Sequence, residues 1–152
     1  MIDWFARPVL HVKNVDASLR FYVNLLGFKN PWRYDEQGVT RVAQVDRQGC
    51  SLILASNLSS EKIGKGVIFI SLNVEPATYE SAVAALDGLR AELEAKGVPI
   101  NESSWGYQLL VIDDLDGNQL LFNYPREPEC ANIAADEENV RLAEKVGVEK
   151  TL

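Results

Sequence analysis

Histidine occurs once in the 152 residues, at His11, and cysteine twice, at Cys50 and Cys130. With one imidazole and two thiols far apart in sequence, no Ser-His-Asp or Cys-His arrangement can be argued, and no disulfide framework or zinc motif is spelled out. Both thiols read as inert, which suits a reducing compartment. No run of roughly eighteen apolar residues occurs, and the opening MIDWFARP lacks a basic segment followed by an apolar one, so neither membrane span nor signal peptide is expected and a cytoplasmic location follows. Basic charge is also short, with 15 Lys and Arg against 22 Asp and Glu for a formal charge of −7. That balance argues against nucleic acid as a partner and tolerates neutral or cationic small molecules. The GKG at residues 64–66 lacks the frame of a phosphate loop. Acidic pairs read as solvated, and Asp113, Asp114 and Asp116 crowd a hairpin, where a turn role outweighs calcium binding. No catalytic residue is assigned and no cofactor is expected.

What is present is enough for one domain, since a chain of this length buries roughly 70% of the surface it exposes unfolded. Its organising stretch is RPVLHVKNVDASLRFYVNLLGF, residues 7–28. Residues 9–12 form a short β-branched run, Asn14 or Asp16 can cap a helix, and Val15, Leu19, Tyr22 and Leu26 keep helical spacing until Gly27 stops it. A strand at 28–34, turn chemistry at 35–38, an alternating strand at 39–45, a turn at 46–49 and a strand at 51–55 complete a βαβββ unit. Residues 57–66 read as a linker. The order then repeats: a β-branched run at 67–74, a helical stripe at Ala82, Leu86, Leu89 and Leu93 ending at Gly97, a strand at 105–112, an Asp116-Gly117 turn and a closing strand at 118–124. From strand to glycine, 15 residues separate Val12 from Gly27 and 23 separate Val74 from Gly97, and Asp87-Gly88 is expected to break or kink the longer helical segment. These boundaries give a domain over 1–128, with modules at about 5–57 and 66–125, followed by a C-terminal tail over 129–152. Residues 132–146 of that tail are expected to be helical.

The opening stretch, with its Pro-Val-Leu, aromatic pair Phe21-Tyr22 and Leu-Gly-Phe, and the later Trp105-Gly106 followed by DLDGNQLLF, resembles the vicinal oxygen chelate superfamily. That group holds glyoxalase I, extradiol dioxygenases, fosfomycin resistance proteins and bleomycin resistance proteins, and the match over residues 7–124 is nearest the metal-free bleomycin resistance type. The resemblance implies an α+β fold in which two βαβββ modules form curved mixed sheets around a cup. In the metal enzymes of the group, four ligands stand on the first and last strands of the modules. By position these places fall on Arg7, Phe69, Leu121 and near Ile53, none of which can ligate, so no metal is expected.

Strand alternation nominates cup residues: Arg7, Val9 and His11, then Ser51, Ile53 and Ala55, then Val67, Phe69 and Ser71, then Gln119, Leu121 and Asn123. His11 is expected to be a packed or hydrogen-bonded strand residue. Trp32, Tyr34, Trp105 and Tyr107 are the stacking candidates. The candidate ligand-binding set is therefore Arg7, His11, Trp32, Tyr34, Phe69, Ser71, Trp105, Tyr107, Leu121 and Asn123. The expected function is metal-independent binding or sequestration of a small aromatic or cationic organic molecule. The alternatives are a glyoxalase-type lyase or isomerase with an atypical site, and an interaction module whose cup is filled. A homodimer with cups across the interface is expected, because Pro8 cannot donate within a sheet and marks an edge where chains can pair. Trp105, Tyr107 and the tail are its candidate contacts.

Overall fold

The computed structural model describes residues 1–106 and 108–126. Tyr107, Cys130 and the expected tail helix lie outside the described residues. Two four-stranded sheets carry the same topology. The first module runs β1 (Val9–His11), α1 (Val15–Arg20), β2 (Lys29–Glu36), β3 (Val39–Arg47) and β4 (Cys50–Ala55), with strand order β1-β4-β3-β2 and only β1-β4 parallel. The second runs β5 (Val67–Ile70), α2 (Tyr79–Ala95), β6 (Asn101–Ser104), β7 (Gln108–Asp113) and β8 (Gln119–Asn123), with order β5-β8-β7-β6 and only β5-β8 parallel. This is βαβββ twice, as the sequence pattern implied.

Local chemistry sets the ends of α1. The Asn14 side chain accepts the Ala17 N–H at 2.9 Å, so Asn14 rather than Asp16 is the cap. Beyond Arg20 the coil widens into a π-helical turn over Phe21–Leu25, in which the Leu26 N–H returns to the Phe21 carbonyl at 3.2 Å. The expected single α-helix is therefore α-helical only in its first part. Gly27 ends it at φ +73, where a Cβ would meet the Arg47 guanidinium at 2.9 Å. Arg47 sits there because it donates to the Leu26 carbonyl at 2.6 Å and pairs with Glu92 of α2 at 2.8 Å.

Each sheet packs one face on the helices. Leu10, Val12, Val45, Leu52 and Leu54 of the first sheet and Leu110, Ile112, Leu120 and Phe122 of the second belong to one buried cluster with Tyr22, Leu86 and Leu93. The modules are joined through the turn before β8. Tyr22 donates its hydroxyl to Asp114 at 3.0 Å, the Asn118 amide donates to the His11 carbonyl at 3.1 Å, and Asn118 Oδ1 accepts the Gly66 N–H at 2.8 Å. Asp114 Oδ1 also accepts the N–H groups of Asp116 and Asn118 at 2.9 Å each, which is the turn role expected of this acidic cluster. The GKG stretch serves the same joint: a Cβ on Gly64 would lie 2.0 Å from the Asp116 carbonyl oxygen, and one on Gly66 2.6 Å from Leu10.

Three expectations in the second module need correction. α2 is continuous through Asp87-Gly88, with Leu86 and Leu93 buried on one side and Gly88 exposed on the other. Burying one leucine contributes about 1.5–3 kcal/mol, more than the ~1 kcal/mol a mid-helix glycine costs. The strand expected to reach Val74 stops at Ile70, so the extra residues before α2 form an irregular segment over 71–78. Trp105 lies in a turn rather than a strand, and the polar Asn101–Ser104 is the unforeseen edge strand β6, paired to β7 by backbone.

Candidate ligand-binding site

Among the described residues no helix covers the second face of either sheet, and here the period of two collects the nominated residues. Across the first sheet Val9, Ile53, Gln44 and Trp32 stand in one row, and His11, Ala55, Val42 and Tyr34 in the next. Trp32 and Tyr34 are 40% and 52% exposed, which for aromatic side chains on a sheet face leaves a large apolar area in water. Arg7, just before β1, reaches this face and donates Nη1 to Gln44 Oε1 at 2.8 Å; Trp32 Nε1 donates to the same oxygen at 2.8 Å. His11 is half-buried with its Nδ1 buried and without a hydrogen-bond partner, so it is packed rather than hydrogen-bonded through that nitrogen.

On the second sheet Phe69, Leu121, Val111 and Asn101 form one row, with Asn123 opposite Leu109 beside it. Trp105 folds back from its turn and stacks on Phe69, with centroids 5.9 Å apart and planes 11° from parallel. Under and beside this pair Leu109, Val111 and Leu121 make a second, smaller buried cluster. A hollow of about 400 Å³ opens there, walled by Val67, Ser103, Trp105, Gln119 and Leu121. Phe69 and Trp105 remain 42% and 57% exposed.

The structure thus gathers Arg7, His11, Trp32 and Tyr34 on one open face and Phe69, Trp105, Leu121 and Asn123 on the other. Among the described residues no hydrogen bond or ring contact links side chains of the two faces. Ser71 lies past the end of β5 and lines a separate concavity of about 690 Å³ on the helix side, with Leu26, Phe28, Arg47 and the α2 residues Leu89 and Glu92. Burial and then Asp46 push the Cys50 thiol upward in that concavity, and hydrogen bonding to Arg47 holds the Glu92 carboxyl below the usual range. Sequence reasoning missed Gln44. The signal was available, because a glutamine in the middle of an alternating strand, on the face of Val42, needs polar partners if it is buried.

Arg7, Phe69, Leu121 and Ile53, the positions on or near which the resemblance would put metal ligands, belong to the open faces. A guanidinium, two alkyl groups and a phenyl ring offer no donor to a cation, so these residues do not fit a metal centre. Among the described residues no three His, Cys, Asp or Glu side chains converge elsewhere.

The profile of the Glyoxalase/Bleomycin resistance protein/Dioxygenase superfamily matches residues 2–122, and the chain belongs to that superfamily. In fold it is similar to an antibiotic-binding protein from a Streptomyces species (TM-score 0.58, 18% identity, covering 83% of this chain and 100% of the other). A bleomycin-binding protein from bleomycin-producing Streptomyces verticillus, complexed with copper(II)-bleomycin, is similar to the same degree (TM-score 0.58, 21% identity, 83% and 100%). So is lactoylglutathione lyase from Agrobacterium tumefaciens (TM-score 0.56, 15% identity, 80% and 93%). These identities speak for the fold alone. No curated protein matches the chain in sequence. Among the described residues no helix is long and apolar enough to cross a membrane.

Proposed function

We propose that this protein binds and sequesters a planar aromatic organic molecule, without metal, between the open face of one module and that of the other. The observation that carries the reading is the pair of open faces, each bearing two aromatic side chains left 40–57% exposed. Such rings on a rigid sheet offer stacking area at little entropic cost, and the few polar groups beside them can orient a ligand. Two Streptomyces proteins of similar fold bind an antibiotic and bleomycin, which supports a small-molecule reading.

The same faces support pairing of two chains. Within one chain the helix-side faces of both sheets share a core, so each open face is half of a cup. Pro8 directly precedes β1, which among the described residues is an edge strand paired to β4 alone, and a second copy can approach that side. In a homodimer the first-module face of one protomer covers the second-module face of its partner, twice. A thermal-shift screen of planar aromatic compounds tests the binding. A ligand present at a hundred times its dissociation constant stabilises by about 2.7 kcal/mol, and no shift with any of them refutes the reading.

A further inference from the structure

Gln44 is 9% exposed, in the middle of an otherwise open face, and every polar atom of its side chain is committed. Its Oε1 accepts from Arg7 Nη1 and Trp32 Nε1, both at 2.8 Å, and its Nε2 donates to Asp46 Oδ1 at 2.8 Å. Turning the amide over would set its NH2 against two donors and its oxygen against a carboxylate, so one orientation is enforced. The backbone around it is also fixed: Asn30 Nδ2 bridges the Trp32 and Gln44 carbonyls at 2.8 Å each, across the register shift between Lys29 and Trp32. One buried amide thereby holds a guanidinium and an indole side by side on the same face.

Arg7 spends one nitrogen on Gln44, and its Cζ lies 5.7 Å from the Phe5 ring centroid. Among the described residues no carboxylate comes within ion-pairing distance of it. A guanidinium keeps five donors in a planar fork, and the remaining ones suit an oxyanion. We infer that the open face of the first module selects aromatic ligands carrying an anionic oxygen group, a carboxylate, sulfonate or phosphate ester, with the ring on Trp32 and the anion on Arg7. Gln44 is the positioning residue that sets the distance between the two. This inference rests on the ligand-binding reading above and narrows it. The formal charge of −7 acts on approach through solvent, whereas the selection is made at contact, where a charge-assisted hydrogen bond outweighs a screened field.

The test uses one ring with three charges: 2-naphthalenesulfonate, 2-naphthalenemethanol and 2-naphthalenemethylammonium, titrated calorimetrically into the full-length protein, with 2-naphthoate as a second anion. The sulfonate and carboxylate bind about tenfold more tightly than the ammonium, as one charge-assisted contact provides. Arg7→Gln abolishes that ratio. Gln44→Glu gives Arg7 a counter-ion and removes the anion preference, read as the ratio of sulfonate to ammonium affinity. Gln44→Leu releases Trp32 and weakens all four probes together. An ammonium probe that binds as tightly as the sulfonate, or a ratio untouched by Arg7→Gln or Gln44→Glu, overturns the inference while the ligand-binding reading stands. If no naphthalene probe binds, both fall.

Discussion

Replacing Tyr22 by phenylalanine should change how the fold responds to alkali. The residue is fully buried, its hydroxyl donates to Asp114 at 3.0 Å, and its ring makes edge contacts with Phe21 and Phe28 at 5.5 and 5.6 Å. Burial first, and then the neighbouring Asp114 carboxylate, push its pKa far above the ordinary 10. The folded state therefore keeps the proton where the unfolded state gives it up. Below about pH 10 both states are neutral at this residue and its contribution is fully present; above that it is lost at about 1.4 kcal/mol per pH unit. From pH 10 to 11.5 the wild type should lose about 2 kcal/mol through Tyr22. Tyr124, pushed up to about 12 by burial and then by its hydrogen bond to Asp87, tilts both proteins in the same direction. Phenylalanine keeps the ring contacts and deletes only the hydroxyl, so Tyr22→Phe should cost about 1.5–3 kcal/mol at pH 8, the range for a hydrogen bond to a charged group. That deficit should shrink by about 2 kcal/mol by pH 11.5. Urea unfolding of both proteins at steps from pH 8 to 11.5 measures this. Parallel pH profiles would refute the reasoning.

The joint between modules makes two further predictions. Asn118→Ala removes three hydrogen bonds at a fully buried position and should cost about 3 kcal/mol in denaturant unfolding; a loss under ~1 kcal/mol would mean the modules are held otherwise. Gly64→Ala and Gly38→Ala share a left-handed backbone, φ +73 and +76, but only the first drives a Cβ into backbone, 2.0 Å from the Asp116 oxygen. Gly38→Ala should cost about 1–2 kcal/mol from the backbone conformation alone. Gly64→Ala should cost at least ~2 kcal/mol more in thermal unfolding, on the scale of overpacking strain, and equal losses would contradict the close approach.

The repeat was legible because each signal answers a chemical demand. Gly27, Gly97 and Gly117 stand at φ +73, +75 and +99 where helix ends or a turn require them, and Asn14 caps as its side chain allows. Once β1 was set, alternation placed Val9, His11, Ile53 and Ala55 on one face without a structure. The π-helical turn left no trace, because Phe21, Tyr22 and Leu26 satisfy helical spacing in either coil. β6 was hidden because Asn101–Ser104 is an exposed edge held by backbone pairing rather than side-chain burial. α2 runs through Gly88 because packing overrides propensity. The separation of the open faces was beyond any local pattern, since it depends on contacts such as Tyr22–Asp114 and His11–Asn118, 92 and 107 residues apart.

The central claim, that a ligand is held between the first module of one chain and the second module of another, has a direct test in complementation. Trp32→Ala spoils every first-module face and Phe69→Ala every second-module face, so each variant alone should bind none of the aromatic probe that stabilises the wild type. When the two are mixed and allowed to exchange subunits, half of the dimers are mixed, and each mixed dimer regains one intact site. Equilibrium dialysis of the mixture should then recover roughly a quarter of the wild-type capacity at wild-type affinity. If the mixture binds no more than the separate variants while the wild type binds one probe per chain, the account of the site is contradicted.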